Sequence, residues 1–157
     1  MKAVLLTGGN LGNLEQSMLQ AREMIAQRVG PILDESKIHT SEAWGFESSN
    51  LFHNQVIIVE TELSPLDLLT TTQQIEDELG RIRNPEIKGY SSRTMDIDIL
   101  YIDHSVICSR PLTVPHPLIS QREFVLIPLT EVAPYWINPV SGKNSQEMLS
   151  ILRHKIE

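Results

Sequence analysis

The chain has 157 residues, of which 41% are hydrophobic and 21% charged, and its net charge is −7. This length and composition predict one soluble globular domain over residues 1–157, and the acidic balance argues against a general nucleic-acid or anionic-membrane binder. No apolar run approaches the roughly 20 residues that span a bilayer, and the first residues lack the apolar core of a signal peptide. We therefore expect a cytoplasmic protein, and a monomer.

The first half of the chain alternates strand and helix signals. Its predicted elements are a strand at 3–7, a helix from Leu14 to Val29, a strand at 32–40, a loop at 41–53 and a strand at 54–62. Asn13 and Gln16 form a capping-box pattern at the start of the helix, and Gly30 with Pro31 ends it. A loop of about 13 residues is long for a compact domain, and long loops are often functional.

The second half continues the alternation and then becomes irregular. Its predicted elements are a helix capped by Ser64, a polar loop at 83–92, a strand at 97–102, a mostly irregular segment at 104–124, and short helices at 125–133 and 146–154, the last capped by Ser145. The order β-α-β-β-α-β predicts an α+β, ferredoxin-like sandwich with an antiparallel sheet, helices on one face and extra short helices at the C-terminal end. Cys108 is the single cysteine, so no internal disulfide can form, and its apolar neighbours predict a buried thiol.

The most distinctive stretch begins at Arg93 and reads Arg-Thr-Met-Asp-Ile-Asp-Ile-Leu. In a strand, Asp96 and Asp98 would share one face about 6.6 Å apart, while the isoleucines beside them face the other way. Two like charges this close repel, and a cation between them removes that cost; Mg²⁺ suits the pair because it prefers oxygen ligands. Arg93 is placed to bind a phosphate oxygen of the same ligand. The alternative is a solvated strand face, on which Asp-x-Asp is common.

The charge distribution favours an anion-binding site. Residues 81–122 hold six of the 13 Lys and Arg residues but only four of the 20 acidic ones, so this segment carries +2 and the rest of the chain −9. A local positive field in an acidic protein fits a site for a small, highly charged anion. The alternative is chance clustering on a solvated loop.

Other residues are suited to ligand contacts, each with a plain structural alternative. His116 lies in a loop bracketed by prolines and can donate a hydrogen bond to phosphate, although a loop histidine more often bonds to backbone. Trp44, Phe52 and Phe124 stand out in a chain that is only 5% aromatic, and the first two accompany Asn54. Aromatic faces with an amide suit a flat heterocycle, whereas the alternative is that these rings fill the core. The sequence has no Walker A motif and no zinc-ligand spacing.

Together these residues resemble the 6-hydroxymethyl-7,8-dihydropterin pyrophosphokinase family, and the resemblance runs nearly end to end. It rests on Arg93-Thr94-Met95-Asp96-Ile97-Asp98-Ile99-Leu100, Leu112-Thr113-Val114-Pro115-His116 and Phe52-His53-Asn54. The resemblance implies transfer of the terminal diphosphate of ATP to the hydroxymethyl group of the dihydropterin, with release of AMP, as a step of folate biosynthesis. Gly9 and Ala43 depart from the family, which usually has serine and proline at these places.

The resemblance also implies cofactors and site residues. Two Mg²⁺ ions would be bound by Asp96 and Asp98, which form the implied catalytic set with Arg81 and Arg93. The implied ATP contacts are Gln73, Glu76, Arg81, Arg83, Arg93, Ile99, Arg110, Thr113, His116 and Arg122. The implied dihydropterin contacts are Gly8, Ser41, Glu42, Ala43, Trp44, Phe52, Asn54, Asp96 and Phe124. The loops at 41–53 and 83–92 would close over both ligands and exclude water.

Two alternatives stay open on the sequence alone. A ferredoxin-like binding or regulatory domain could hold a small ligand without chemistry, although it would not need both aspartates and the arginines. An ordinary kinase or a nucleotidyltransferase could use the same metal pair, and the released product (AMP, ADP or pyrophosphate) separates these reactions.

Overall fold

The sheet is built around one central strand. β1 (Lys2–Gly9) pairs antiparallel with β4 (Leu51–Glu60) on one side and with β5 (Asp96–Ile102) on the other. β2 (Ile32–Glu35) and β3 (His39–Glu42) both pair antiparallel with the outer edge of β4, so the order is β2-β4-β1-β5 with β3 beside β2 along β4. This computed structural model of the chain describes residues 1–9, 14–42, 51–83 and 95–156.

Helices cover both faces of the sheet. α1 (Leu14–Arg28) and α2 (Pro65–Arg83) pack on one face, and α3 (Glu123–Val132) and α4 (Ser145–Ile156) pack on the other. The predicted ferredoxin-like α+β sandwich is confirmed, with the second strand of the βαββαβ unit divided into β2 and β3. The extra C-terminal helices form a third layer, since they bury the face that a minimal βαββαβ unit leaves open.

Two hydrophobic cores lie on opposite sides of the sheet, and strand alternation divides β1 between them. The core under α1 and α2 includes Ala3, Leu5, Met18, Ala21, Ile25, Ile57, Val59, Leu68, Ile75, Leu79, Ile97 and Ile99. The core under α3 and α4 includes Val4, Leu6, Val56, Ile58, Leu100, Tyr101, Val125, Leu126, Leu129 and Met148. Each fully buried Leu or Ile side chain contributes about 1.5–3 kcal/mol, so both layers are part of the stable fold.

The register of β5 decides where its carboxylates lie. Leu6 pairs with Asp98 and Gly8 with Asp96, and the pairing shifts by one residue between Val4 and Leu5. Ile97 and Ile99 are buried under α1 and α2, so Asp96 and Asp98 face the α3 side. The predicted shared face of the two aspartates is confirmed.

Several local predictions were wrong at their edges. The strand expected at 32–40 is interrupted at Ser36, whose backbone N–H and Oγ both bond to Val56 of β4. The loop expected at 41–53 is shorter, because Ser41 pairs with Phe52 and extends β3 and β4 into it. Pairing between β3 and β4 carried residues 41–42 and 51–53 into the sheet.

Two side-chain predictions near the C-terminal half also need correction. The N-terminus of α4 is capped by Asn144, whose Oδ1 accepts the Glu147 N–H at 2.9 Å while Glu147 Oε1 accepts the Asn144 N–H at 3.2 Å. Ser145 is instead the first residue of the helix. Cys108 is exposed, in a two-stranded ribbon formed by β6 (Ile107–Cys108) and β7 (Thr113–Val114). By contrast, the predicted Ser64 cap is confirmed, since its Oγ accepts the Asp67 N–H at 3.2 Å.

The glycine after α1 is required by close packing. A Cβ on Gly30 would lie 1.8 Å from the Glu60 carbonyl oxygen, at a φ of +156°. We expect Gly30→Ala to lower the free energy of unfolding by at least about 2 kcal/mol, measured by urea titration, because backbone has to move. Gly142→Ala is the control: φ is +74° there, but no atom lies within 4 Å of the added Cβ. Equal losses in the two variants would contradict the packing explanation.

Across residues 1–9, 14–42, 51–83 and 95–156, no helix is both long and apolar enough to cross a membrane.

Candidate active site

Three of the predicted pterin-binding residues form a row across the sheet. Gly8 of β1 pairs with Asn54 of β4 on one side and with Asp96 of β5 on the other. Residues in register share a face, so Asn54 and Asp96 lie on the α3 side, separated by two strand spacings of about 4.8 Å each. The backbone positions of Asn54 and Asp96 are therefore about 10 Å apart, with a glycine between them.

The floor of this row is closely packed. A Cβ on Gly8 would meet Asn54 Oδ1 at 2.3 Å and the His53 carbonyl oxygen at 3.0 Å. The Asn54 amide thus occupies the space above Gly8, and Asn54 itself is buried. A glycine here lets the amide lie directly on the backbone of β1, which fixes the orientation of its donor and acceptor atoms.

Aromatic residues flank the row at the β4 end. Phe52 lies two residues before Asn54 on β4, so both residues belong to the α3 face, and Phe52 pairs with Ser41 of β3. Phe124 comes from the first turn of α3 and is 38% exposed. Two phenyl rings, one from the sheet and one from the helix above it, thus border the same side of the sheet.

A second group gathers around Asp98. The backbone N–H of His116 donates to the Leu100 carbonyl oxygen at 3.0 Å, and this bond holds the loop containing His116 against β5. Burial lowers the pKa of His116, nearby Asp98 opposes that change, and Arg122 adds to it. Asp98 and Arg122 are therefore each within electrostatic range of His116.

The hydrogen bonds of His116 define what it can offer a ligand. Its Nδ1 accepts the Leu118 N–H at 3.2 Å, so the imidazole proton is assigned to Nε2. Because burial favours the neutral ring, Nε2–H is a neutral hydrogen-bond donor beside the Asp98 carboxylate. Arg122 lies over the Phe124 ring, 5.5 Å from its centroid, and so connects this group to the aromatic wall.

The remaining predicted ATP contacts are spread around the β5 edge. Gln73 is exposed on α2. Glu76, one turn later, is buried, and its carboxylate accepts a hydrogen bond from the Ile97 N–H. The Ile99 side chain lies in the core under α1 and α2, so only its backbone can meet a ligand. Thr113 and Arg110 are exposed in and beside the ribbon that follows β5.

Part of the predicted site lies outside the described residues. This applies to Arg93, Ala43 and Trp44, and to most of the two loops predicted as lids. Arg81 and Arg83 are placed in the last turn of α2, and Glu42 ends β3, but their side chains are not described. The predictions for these residues stay predictions.

The donor set at β5 fits one kind of metal site. Among the described residues, no group of three or more His, Cys, Asp or Glu side chains could hold a metal by itself. Asp96 is exposed and Asp98 half-buried, on one face of one strand. Mg²⁺ usually keeps several waters and binds one or two carboxylates plus substrate phosphates. The two aspartates therefore fit a magnesium ion that binds together with a nucleotide.

One contact that supports the site was not predicted from the sequence. His39 of β3 pairs with Asn54, and its Nε2 lies 3.0 Å from Glu131 Oε1 on α3. The Lys37 N–H donates to the other Glu131 oxygen at 2.6 Å. Burial would raise the pKa of Glu131, but the Lys37 amide and His39 outweigh it and lower the pKa. This contact spans more than 90 residues of chain, and no local pattern could have indicated it.

The structure is an α+β protein that carries a carboxylate pair, His116 with Arg122, and the Asn54 row with its flanking aromatic residues on one side of the sheet. A model of the 7,8-dihydro-6-hydroxymethylpterin-pyrophosphokinase (HPPK) family matches residues 4–134. The 2-amino-4-hydroxy-6-hydroxymethyldihydropteridine pyrophosphokinase of Porphyromonas gingivalis is 44% identical over 138 residues, which is 86% of this chain and 92% of the relative. The Bacillus subtilis enzyme of the same name is 37% identical over 131 residues, 83% of this chain and 77% of that one.

The chain belongs to the HPPK family. It is a pyrophosphokinase of folate biosynthesis that acts on hydroxymethyldihydropterin, which confirms the function inferred from the motifs. The crystal structure of a Plasmodium falciparum HPPK-DHPS protein matches 99% of this chain with a TM-score of 0.78. At 13% identity this match shows the fold alone, and our chain spans 43% of that longer protein.

Proposed function

We propose that diphosphate transfer takes place at the β5 edge, on the sheet face that α3 covers. The observation that supports this most is the register of the Asn54–Gly8–Asp96 row with Asp98 two residues further along β5. The dihydropterin would lie over the row, between Phe52 and Phe124. Its hydroxymethyl group would then point toward the aspartates and the phosphates of ATP.

The pterin contacts follow from the chemistry of the row. The Asn54 amide, which lies against Gly8, would hydrogen-bond to a donor and an acceptor on the edge of the heterocycle. Ser41 and Glu42 would supply polar groups from β3. Phe52 and Phe124 stack on the ring faces. Ala43 and Trp44 complete the proposed set on the chain that follows β3.

The ATP contacts gather around His116 and Arg122. The Nε2–H of neutral His116 donates to a phosphate oxygen, and Arg122 supplies positive charge beside it. Thr113 and Arg110 approach from the ribbon. The other proposed nucleotide contacts are Gln73, Arg81, Arg83, Arg93 and Ile99, with Arg81 and Arg93 also stabilising the charge that develops during transfer. Glu76 is buried against the Ile97 N–H, so its proposed contribution to the ATP site is indirect.

Asp96 and Asp98 are the residues that would hold Mg²⁺, with two ions proposed. Bound Mg²⁺ neutralises phosphate charge and helps to orient the reacting groups. In the transfer, the hydroxymethyl oxygen bonds to the β-phosphorus while the bond between the β-phosphorus and the oxygen that bridges it to the α-phosphorus breaks. AMP leaves with the bridging oxygen, and the hydroxyl proton is released to solvent. We further propose that the chain acts as a monomeric single domain over residues 1–157, in the cytoplasm.

Product analysis tests this proposal. With ATP, Mg²⁺ and 6-hydroxymethyl-7,8-dihydropterin, we expect AMP to appear one-for-one with pterin diphosphate, measured by liquid chromatography. Excess EDTA should abolish product formation and added Mg²⁺ restore it, because without the metal ion the two carboxylates repel the phosphates and the phosphate charge is not neutralised.

Other products would contradict the proposal in different ways. ADP would indicate transfer of a single phosphoryl group, and pyrophosphate a nucleotidyl transfer. Unchanged turnover in excess chelator would disprove the metal assignment while leaving the reaction intact. Pterin binding without turnover would favour a binding or regulatory role.

A further inference from the structure

Glu76 is a buried carboxylate on α2 whose hydrogen bond goes to the strand that carries the aspartates. Its Oε2 accepts the Ile97 N–H at 2.7 Å, and the residue is 7% exposed. Ile97 stands between Asp96 and Asp98 in the sequence, so this bond holds the backbone at the centre of the pair. A charged acceptor makes such a bond stronger than one between neutral groups.

The Glu76 bond holds the outer edge of β5, where no neighbouring described strand pairs with it. Within the described part of the chain, β5 is an edge strand that pairs with β1 alone, and the Ile97 N–H is directed to α2. The Ile97 side chain is packed in the core under α1 and α2, while the aspartates project from the opposite face. Glu76 and the core thus hold one side of the strand, and the carboxylates stand on the other.

We infer that Glu76 is a positioning residue that sets the separation and direction of the Asp96 and Asp98 carboxylates by anchoring the Ile97 amide. This inference rests on the proposed metal-binding role of the two aspartates. Groups that orient metal ligands change metal affinity or activity by about 10- to 100-fold when they are removed. On this view Glu76 acts through Ile97, and a direct contact with ATP is not needed for its effect.

Two substitutions separate acceptance of the hydrogen bond from negative charge. Glu76→Gln keeps an oxygen that can accept the Ile97 N–H, whereas Glu76→Met keeps similar bulk and removes the acceptor. Thr72→Val is the matched control on α2, because Thr72 is also buried and its Oγ1 donates to the Leu69 carbonyl oxygen at 2.9 Å. It alters a buried polar group on the same helix whose hydrogen bond stays within α2.

The first readout is amide hydrogen exchange, which does not depend on activity. In Glu76→Met we expect the protection factor of the Ile97 amide to fall at least about 10-fold. In Glu76→Gln and Thr72→Val we expect it to stay near the wild-type value. The second readout is the Mg²⁺ concentration that gives half-maximal turnover. We expect it to rise about 10- to 100-fold in Glu76→Met and to stay near the wild-type value in the other two variants.

Three outcomes would overturn the inference. Unchanged Ile97 protection in Glu76→Met would show that the bond does not hold the strand. Equal losses in Glu76→Gln and Glu76→Met would show that the charge acts and the acceptor geometry does not. A loss of protection with no change in Mg²⁺ dependence would show that the Glu76–Ile97 bond does not affect metal binding by the aspartates. Failure of the proposed function is distinguished by Asp98→Ala: if it keeps wild-type Mg²⁺ dependence, the metal assignment itself is wrong.

Discussion

Asp98→Ala is expected to lower kcat/KM by at least about 10³-fold, equivalent to about 4 kcal/mol of transition-state stabilisation. The variant loses one of two carboxylates on the β5 face and leaves His116 without its nearby negative charge. Both changes act where the phosphate charge must be balanced. A coupled assay of AMP release, run over a range of Mg²⁺ concentrations, measures the loss.

Asp103→Asn is the matched control for this prediction. Asp103 follows β5 at the end opposite to the site, with a φ of 47° and Oδ1 accepting the Lys2 N–H at 2.8 Å. Asparagine tolerates this backbone conformation and keeps the acceptor, so turnover should be close to wild type. If Asp98→Ala retained more than about one tenth of wild-type kcat/KM, the carboxylate pair would not be the metal site.

Gly8→Ala is expected to weaken dihydropterin binding by about 100-fold, equivalent to about 2.7 kcal/mol. The added Cβ would lie 2.3 Å from Asn54 Oδ1 and 3.0 Å from the His53 carbonyl oxygen, so the amide must leave its position on β1. A shift of about 1 Å in a positioning group is enough for a loss of this size. Titration calorimetry with the pterin and a non-hydrolysable ATP analogue measures it.

Gly80→Ala serves as the control for the glycine substitution. No atom lies within 4 Å of a Cβ at Gly80, which is within α2. Alanine in a helix is favoured over glycine by about 0.5–1 kcal/mol, so this variant should be slightly more stable and bind pterin normally. Wild-type pterin affinity in Gly8→Ala would show that the Asn54 amide does not read the ligand.

Local sequence patterns predicted the elements whose neighbours agree with them. Ser64 and Pro65 began α2 as expected, because a cap and a proline at the first helical position act within four residues. The alternation in β5 correctly assigned Asp96 and Asp98 to one face, because the strand period of two is a property of the chain itself. The family motif then supplied the reaction, which the relatives confirm.

The misplaced boundaries share a physical cause. Residues 41–42 and 51–53 lack a strong strand pattern but become β3 and β4 because each offers the other a ladder partner. Asn144 caps α4 through reciprocal hydrogen bonds with Glu147. Asn144 and Ser145 are both good capping residues, so the local sequence did not determine which of them caps the helix. Cys108 has apolar neighbours in sequence but lies in an exposed ribbon.

By itself, the sequence determined the ferredoxin-like order of elements, the carboxylate pair on one strand face and the chemistry of the family. Only the tertiary structure decided which face of the sheet carries the residues of the proposed site. The register that places Asn54, Gly8 and Asp96 in one row depends on the pairing of β1 with β4 and with β5, which joins residues more than 40 positions apart along the chain. The Glu76 bond to Ile97 likewise spans 21 residues. Strand period and capping are local, whereas register and helix-to-strand contacts are set by burying both faces of the sheet at once.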